Sequence, residues 1–495
     1  MTWGQRALRV VVGAALVLLL WPLRDLRQDA IDAIVGNDAA PGPPPHLPAA
    51  TGDGLAPTPR LRVALIDGAG ADTARTMAAW DAVCARGLDL RIDVGFPTVS
   101  LPVELALWSG LTQQQTGVLF HSTGAPVPPP AGAIPAQVPD AIAVAEASPY
   151  IVHSLGFPHT EPPLPPPHTP LPADWSKRWP DVARAAVAGP ARLVFVHVLR
   201  VDSAGHKAGK RSAAWRDAAA SADAILATLI AAAPDARWLV LADHDHIASG
   251  GHGSEDRAIR IVRGCLAGPD IAPGRGGPIS IVDVARAIAD SVGATLPAAS
   301  RARPLHAALA APVDDDDVLP RLPTGRVALA LLVLAAAVAA TAWAARGRVA
   351  AGPWWWPVAL VALMVLATTP SLSTPMIYKK QGLTMADAAA PGLAVLGVMM
   401  TLEVRRGWLR ALVGQLALPV AATVAVWIVT GATGVIAGQR VCPVVPRWTG
   451  WLPPLTIIAA TGLAVAGLVV LASAVLPGSG PSTPSGTSRS DRAAR

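Results

Sequence analysis

Between residues 60 and 300 the chain alternates short apolar runs with stretches of helical spacing. The runs 61–66, 88–94, 193–199 and 238–242 have strand length and end in turn or charged residues, which predicts buried β-strands. In 73–86 the side chains of Met77, Trp80, Val83 and Cys84 recur at intervals that fall on one helix face. Helices are predicted also over 101–108, 213–233 and 281–292, with a further short ordered segment over 258–263. Such alternation implies an α/β domain, a mainly parallel sheet flanked by helices on both faces. The interval 125–174 breaks the rhythm. It is proline-rich, contains Glu161-Pro-Pro-Leu-Pro-Pro-Pro, and reads as surface loops beside the strand ends.

Both ends of the chain follow a different pattern. After a basic start with Arg6 and Arg9, an apolar run covers 10–23, and charged residues rather than a small-residue cleavage site follow it. This predicts an uncleaved N-terminal transmembrane anchor over 1–23 and a Pro/Gly-rich linker over 24–59. The α/β domain then occupies 60–312. An acidic linker, 313–326, carries Asp314–Asp317, which lack the spacing and glycine turn of a calcium loop. From 327 to 476 five apolar stretches read as a C-terminal bundle of transmembrane helices: 327–345, 354–369, 386–402, 411–429 and 452–476. Trp354, Trp355, Trp356, Trp408, Trp448 and Trp451 lie at or near their ends, as interfacial aromatics do. Residues 477–495 read as a disordered cytoplasmic tail.

Loop arginines orient these six spans. Arg6 and Arg9, then Arg346 and Arg348, then Arg405, Arg406 and Arg410, then Arg489, Arg492 and Arg495 all fall on one side. Positive loops face the cytoplasm, so the protein is expected to be multi-pass in the cytoplasmic membrane with its α/β domain extracytoplasmic. Lys379, Lys380, Arg440 and Arg447 sit on the opposite face.

Composition supports the membrane reading, with 52% hydrophobic residues and 49 prolines in 495 residues. The net charge of +6 is carried by arginine rather than by a lysine-rich face, and no nucleic-acid partner is read from it. Cys84, Cys265 and Cys442 are too few and too scattered for a disulfide framework. They are read as buried free thiols, with a Cys84–Cys265 bridge as the alternative.

Candidate chemistry gathers where strands are expected to end. Asp67 closes the first run. Ser100 lies between a strand and a helix, in Phe96-Pro97-Thr98-Val99-Ser100-Leu101-Pro102. Asp202 and His206 follow the strand over 193–199, and Asp243 and His244 follow that over 238–242. A glycine turn, Gly250-Gly251, then delivers His252. Ligands bind beyond the carboxyl ends of strands in open α/β sheets. Three carboxylates and three imidazoles without thiolate suit two divalent ions, zinc or manganese. Ions about 3.5–4 Å apart can clamp both oxygens of an in-line displacement, and Ser100 would supply the nucleophile.

The order Asp-Gly, then Pro-Thr-x-Ser-x-Pro with Gly110-Leu111 and Gly117-Val118 downstream, then Asp-x-x-Gly-His, Asp-His and Gly-Gly-His-Gly resembles the alkaline phosphatase superfamily. The nearest branch is that of nucleotide pyrophosphatases/phosphodiesterases and ethanolamine-phosphate transferases. The resemblance runs over about 61–298 and implies an alkaline-phosphatase-like fold. It implies one metal ion, expected to be zinc, on Asp202, His206 and His252, and another on Asp67, Ser100, Asp243 and His244. Ser100 would be transiently phosphorylated. Two departures stand out: Asp245 follows Asp243-His244 where the family has glycine, and Gly70 stands where relatives often carry arginine. The sulfatase signature fails, since Ser100-Leu101-Pro102-Val103 is followed by Glu104 and not arginine. His246 and Lys207 are weaker candidates for contacts with substrate. The expected substrate is a phosphoester, with a lipid-linked group favoured by the membrane spans. A hydrolase of soluble phosphoesters and a non-catalytic envelope protein that kept the fold are the alternatives.

Overall fold

The computed structural model describes residues 52–118, 126–166, 169–246, 250–253 and 257–314, the helices Trp3–Leu18 and Thr324–Ala345, and scattered positions elsewhere. Eight strands form one sheet: β1 Leu61–Ile66, β2 Leu88–Asp93, β3 Ile142–Ala145, β4 His159–Glu161, β5 Leu193–Val198, β6 Arg237–Leu241, β7 Ile261–Ala267 and β8 Gly274–Ser280. Their order is β4-β3-β5-β1-β6-β7-β2-β8. All pairings are parallel except those of β7, which runs antiparallel to both β6 and β2. A mainly parallel sheet is what the alternating pattern implies.

The central strands β1, β5 and β6 are buried along their whole length, as expected where helices cover both faces. Even Arg62 is fully buried within β1. Its guanidinium donates to the carbonyls of Val187, Gly189 and Ala191 at 2.8–2.9 Å, at the C-terminal end of helix Trp175–Ala188. A cation there satisfies carbonyls that have no partner within the helix.

Several sequence expectations need correction. The helix over 73–86 is broken into Ala71–Ala74 and Ala78–Ala85, with Met77 extended between them. The carboxylate of Asp223, on helix Ala213–Ala232, accepts from the amides of Ala79 (3.0 Å) and Trp80 (3.3 Å) and so caps the second piece from a distance. The 125–174 interval is not only loop: β3, helix Pro149–His153 and β4 lie within it and extend the sheet beyond β5. A short edge strand tolerates the adjacent Pro162, because an edge needs fewer amide donors. The 258–263 segment is one helical turn, Arg257–Arg260, leading into β7.

Cys84 and Cys265 form a disulfide, which overturns the reading of buried free thiols. The bridge joins helix Ala78–Ala85 to β7, with Cα atoms 4.8 Å apart, across 181 residues of sequence. Nothing in residue spacing could reveal it, because the antiparallel insertion of β7 beside β2 creates the approach.

Outside the domain, helices Trp3–Leu18 and Thr324–Ala345 cover parts of the expected first and second spans. Both display large apolar side chains: Leu8, Val11 and Leu18 on the first, Leu329, Leu331 and Leu332 on the second. Counted over the described residues, no helix is long and apolar enough to cross a membrane. The expected spans 354–369 and 386–402, nearly all of 411–429 and 452–476, and the linker core Asp315–Asp317 lie outside the described residues.

Candidate dinuclear metal centre

All seven side chains of the constellation meet at the carboxyl ends of β1, β2, β5 and β6. Asp67 directly follows β1, and Gly68 turns the chain there at φ 72°, a left-handed conformation that glycine adopts without strain. Ser100 opens the ten-residue helix Ser100–Ser109 after β2. Helix Arg200–Ala208 follows β5 and carries Asp202 and His206 at i and i+4, one above the other on one face. Asp243 and His244 follow β6. His252 returns from the glycine turn.

One group forms around Asp202. Its Oδ1 lies 3.2 Å from His206 Nε2 and 3.4 Å from His252 Nε2, and those two nitrogens are 3.1 Å apart. Metal–ligand bonds of about 2.0–2.1 Å in a tetrahedron place ligand atoms about 3.3 Å from one another. Burial alone would raise the proton affinity of Asp202, but its contacts with His206, His246 and His252 outweigh that and hold it well below the usual carboxylate range.

The second group surrounds His244. Its Nε2 lies 3.3 Å from Ser100 Oγ, 3.4 Å from Asp67 Oδ1 and 3.2 Å from Asp243 Oδ2. The His244 and His252 rings stack with centroids 3.6 Å apart, so the two groups share a wall. Burial, with Asp202 as a neighbouring negative charge, pushes Asp67 up to about 6. Burial and the nearby Asp67 raise Asp243 well above its ordinary value. Burial, with His252 beside it, depresses His244.

The residues fit divalent ions by a test independent of motif. Both carboxylate oxygens of Asp67 and Oδ2 of Asp243 are buried and make no hydrogen bond, with only the imidazoles of His197 and His244 near them, at 3.2–3.4 Å. Buried carboxylates left this way are costly unless a cation compensates them. Three groups of ligand atoms at this site, Asp67–Asp243–His244, Asp202–His244–His246–His252 and Asp67–Glu104–His197, each converge closely enough for an ion. Asp202, His206 and His252 would hold one, and Asp67, Asp243, His244 and Ser100 the other.

Sequence reasoning passed over other members of the site. His197 was assigned no role, yet its Nε2 lies 3.2 Å from Asp67 Oδ2 and 3.1 Å from Glu104 Oε1, all three side chains fully buried. Its position inside the apolar strand β5 hid it. Burial alone would lower its proton affinity, but the attraction of Glu104 and Asp67 prevails and raises it well above the ordinary value. Thr98 serves His252: its carbonyl accepts from Nδ1 at 2.7 Å, and its Oγ1 accepts from the Gly253 amide at 2.7 Å. Lys207 is exposed on helix Arg200–Ala208. The lysine that reaches the site is Lys210, 2.6 Å from Asp245 Oδ2. His246 is 2% exposed and contacts Asp202 at 3.0 Å, so it lies behind the ligands rather than open to a substrate.

Comparison with known proteins agrees with this geometry. The type I phosphodiesterase / nucleotide pyrophosphatase family matches residues 141–257. No curated protein matches the chain in sequence. Among solved structures, a putative sulfatase from Bacteroides thetaiotaomicron is similar at 16% identity and TM-score 0.40, over 52% of this chain and 75% of that one. A protein in the alkaline phosphatase superfamily from Vibrio parahaemolyticus aligns at 13% identity and TM-score 0.39, over 59% and 80%. Murine ectonucleotide pyrophosphatase / phosphodiesterase 5, solved with AMP, aligns at 12% identity and TM-score 0.36, over 48% and 96%. Likenesses this distant carry no argument about chemistry. The family match is the stronger finding, because it spans Asp202, His206, Asp243, His244 and His252, and over that stretch the chain is similar to type I phosphodiesterases / nucleotide pyrophosphatases.

Proposed function

We propose that this protein is a membrane-bound, metal-dependent phosphotransferase or phosphodiesterase that works outside the cytoplasm through a phosphoserine at Ser100. The observation that carries the proposal is Ser100 Oγ, 3.3 Å from His244 Nε2 and grouped with the buried carboxylates of Asp67 and Asp243, whose oxygens make no hydrogen bond there. Two divalent ions, with zinc favoured by the imidazole-rich ligands, supply Lewis-acid polarisation of the phosphoryl group and make the serine hydroxyl easier to ionise. Ser100 Oγ gives its proton to solvent and bonds to phosphorus as the bond to the leaving oxygen breaks, and that oxygen takes a proton from water. Water or an acceptor alcohol then loses its proton to solvent and bonds to phosphorus as the bond to Ser100 Oγ breaks, and Oγ takes a proton from water to return to a free hydroxyl. The positive end of helix Ser100–Ser109 lies beside Oγ and favours negative charge on the phosphoryl oxygens.

The disulfide supports an oxidising compartment, and thus an extracytoplasmic domain. The exposed apolar faces of helices Trp3–Leu18 and Thr324–Ala345 support contact with a bilayer, and with it a lipid-linked donor or acceptor. Sulfate ester hydrolysis is disfavoured, because Glu104 occupies the place of the signature arginine and is buried against His197.

The test is mass spectrometry of zinc-loaded protein quenched during turnover of an aryl phosphodiester or a phosphoethanolamine lipid. The peptide bearing Ser100 should gain a phosphoryl or phosphodiester mass, absent in Ser100→Ala. An unmodified Ser100 under conditions of turnover would sink the covalent route. Release of free phosphate from soluble esters with no lipid acceptor would favour the plain hydrolase.

A further inference from the structure

His246 Nε2 lies 3.0 Å from Asp202 Oδ1, as near as the imidazoles of His206 and His252. Distance alone would count it as one more ligand for the same ion. Hydrogen-bond direction decides otherwise. The amide of Gly251 lies 2.8 Å from His246 Nδ1, and a backbone N–H can only donate, so Nδ1 carries no proton. A neutral imidazole then keeps its proton on Nε2, and that N–H points to Asp202. His252 shows the reverse arrangement. Its Nδ1 lies 2.7 Å from the carbonyl of Thr98, which can only accept, so the proton sits on Nδ1 and Nε2 offers a lone pair.

We propose that His246 is a positioning residue: it donates to Asp202 Oδ1 and fixes how that carboxylate is presented to the ion shared with His206 and His252. The surrounding structure is shaped for an imidazole at this place. A Cβ on Gly68 would come 2.9 Å from its Nε2, and one on Gly205 would come 2.7 Å from its Cε1. Trp215 closes the remaining side, edge-on, with centroids 5.1 Å apart. The ring is therefore packed closely on these sides, and its Nε2 proton is directed at Asp202 Oδ1. Partners of this kind, which orient a ligand without touching the metal, are worth about 10–100-fold in metal affinity.

The inference rests on reading Asp202, His206 and His252 as one metal site, not on the reaction carried out there. It is tested on the full-length protein in detergent, with zinc affinity measured by chelator competition for wild type, His246→Gln and His246→Glu. Folding of each variant is checked by its metal-free melting. Glutamine keeps a donor at the Nε2 position but is a poor zinc ligand, whereas glutamate is a good ligand that cannot donate when ionised. His246→Gln should hold zinc within a few-fold of wild type, and His246→Glu should lose about 10–100-fold. The opposite order would make His246 a ligand and overturn the proposal. Equal affinities in all three proteins, or equal losses in both variants, would overturn it too. A protein that binds zinc as expected yet never modifies Ser100 refutes the proposed reaction and leaves this inference standing.

Discussion

The carboxylate of Asp245 fills the space beside Gly70 that a Cβ at that position would need, and from there it binds Lys210 Nζ at 2.6 Å. The two positions at which the sequence departs from the pattern it resembles are therefore in contact: the absence of a side chain at Gly70 leaves the room that Asp245 occupies. Lys210, two residues past helix Arg200–Ala208, is the cation that Asp245 meets there.

Gly70→Ala should consequently destabilise the domain by about 1–3 kcal/mol, the usual cost of forcing atoms into a packed interior. Its φ of −55° is open to any residue, so the effect is steric and not conformational. The double variant Gly70→Ala/Asp245→Gly should recover most of the loss. Urea unfolding of the two single variants and the double variant checks this, and additive losses would show that the two positions are independent.

The Cys84–Cys265 bridge closes a loop of 181 residues, for which chain entropy gives about 5 kcal/mol and engineered examples about 2–4 kcal/mol. Cys84→Ser should lower stability by an amount in that range. In the unfolded, unreduced protein only Cys442 should titrate as a thiol. Because Cys84 and Cys265 are both buried, a mild reductant should act on the folded protein only as fast as it opens. Thiol titration in denaturant, before and after reduction, measures it directly.

How much of this was legible in the sequence follows from how local each signal is. Strands β1, β5 and β6 are largely apolar runs, broken only by Arg62 in β1, His197 in β5 and the leading Arg237 of β6, and charged residues follow them, so both the strands and the ligands beyond their ends could be read. Strand β3 has four residues and lies among prolines, and β4 has three, too short to show any period. The break at Met77 depends on Asp223, nearly 150 positions away, so residues 73–86 taken alone read as one helix. His197 passed as a strand residue because its partners, Asp67 and Glu104, arrive from other elements. For the same reason Lys207 drew attention beside His206, while Lys210, aimed at Asp245, did not.

The His197 cluster leads to a prediction for the metal-free protein. Removing one member of a buried ionic group typically costs about 3–5 kcal/mol, since its partners stay buried and uncompensated. His197→Gln should fall in that range at neutral pH. The sign of the pH dependence follows from the raised proton affinity of His197 in the fold. Stability from such a group is fully present below the unfolded value of about 6.5 and is lost as pH rises through the folded value. The gap between wild type and His197→Gln should therefore narrow on the alkaline side. Urea midpoints across a pH series test it, and a gap that widens with pH would remove the imidazolium from the account.

Zinc binding at about pH 6 should release protons from Asp67 and Asp243 and not from His244 or His252, the inverse of an ordinary site. An unperturbed imidazole, at about 6.5, would be mostly protonated there and an unperturbed aspartate fully ionised. In this centre burial depresses His244, His246 and His252, which are thus neutral and ready for a metal. Burial and the charge of Asp67 raise Asp243, and burial with the charge of Asp202 pushes Asp67 to about 6. The incoming cation must displace protons from these two acids. Without metal the depressed imidazoles also set a direction for stability: their contribution is present above about 6.5 and is lost as pH falls through that value toward the folded ones. Calorimetric titration of zinc in buffers of different ionisation enthalpy counts the released protons. Asp243→Asn should cut the count at pH 6, while His252→Gln, although it weakens binding, should leave the protons released per bound ion nearly unchanged. A count that follows His252 instead would mean that this imidazole is charged in the metal-free protein and that the two carboxylates are not raised as burial and their acidic neighbours would have them.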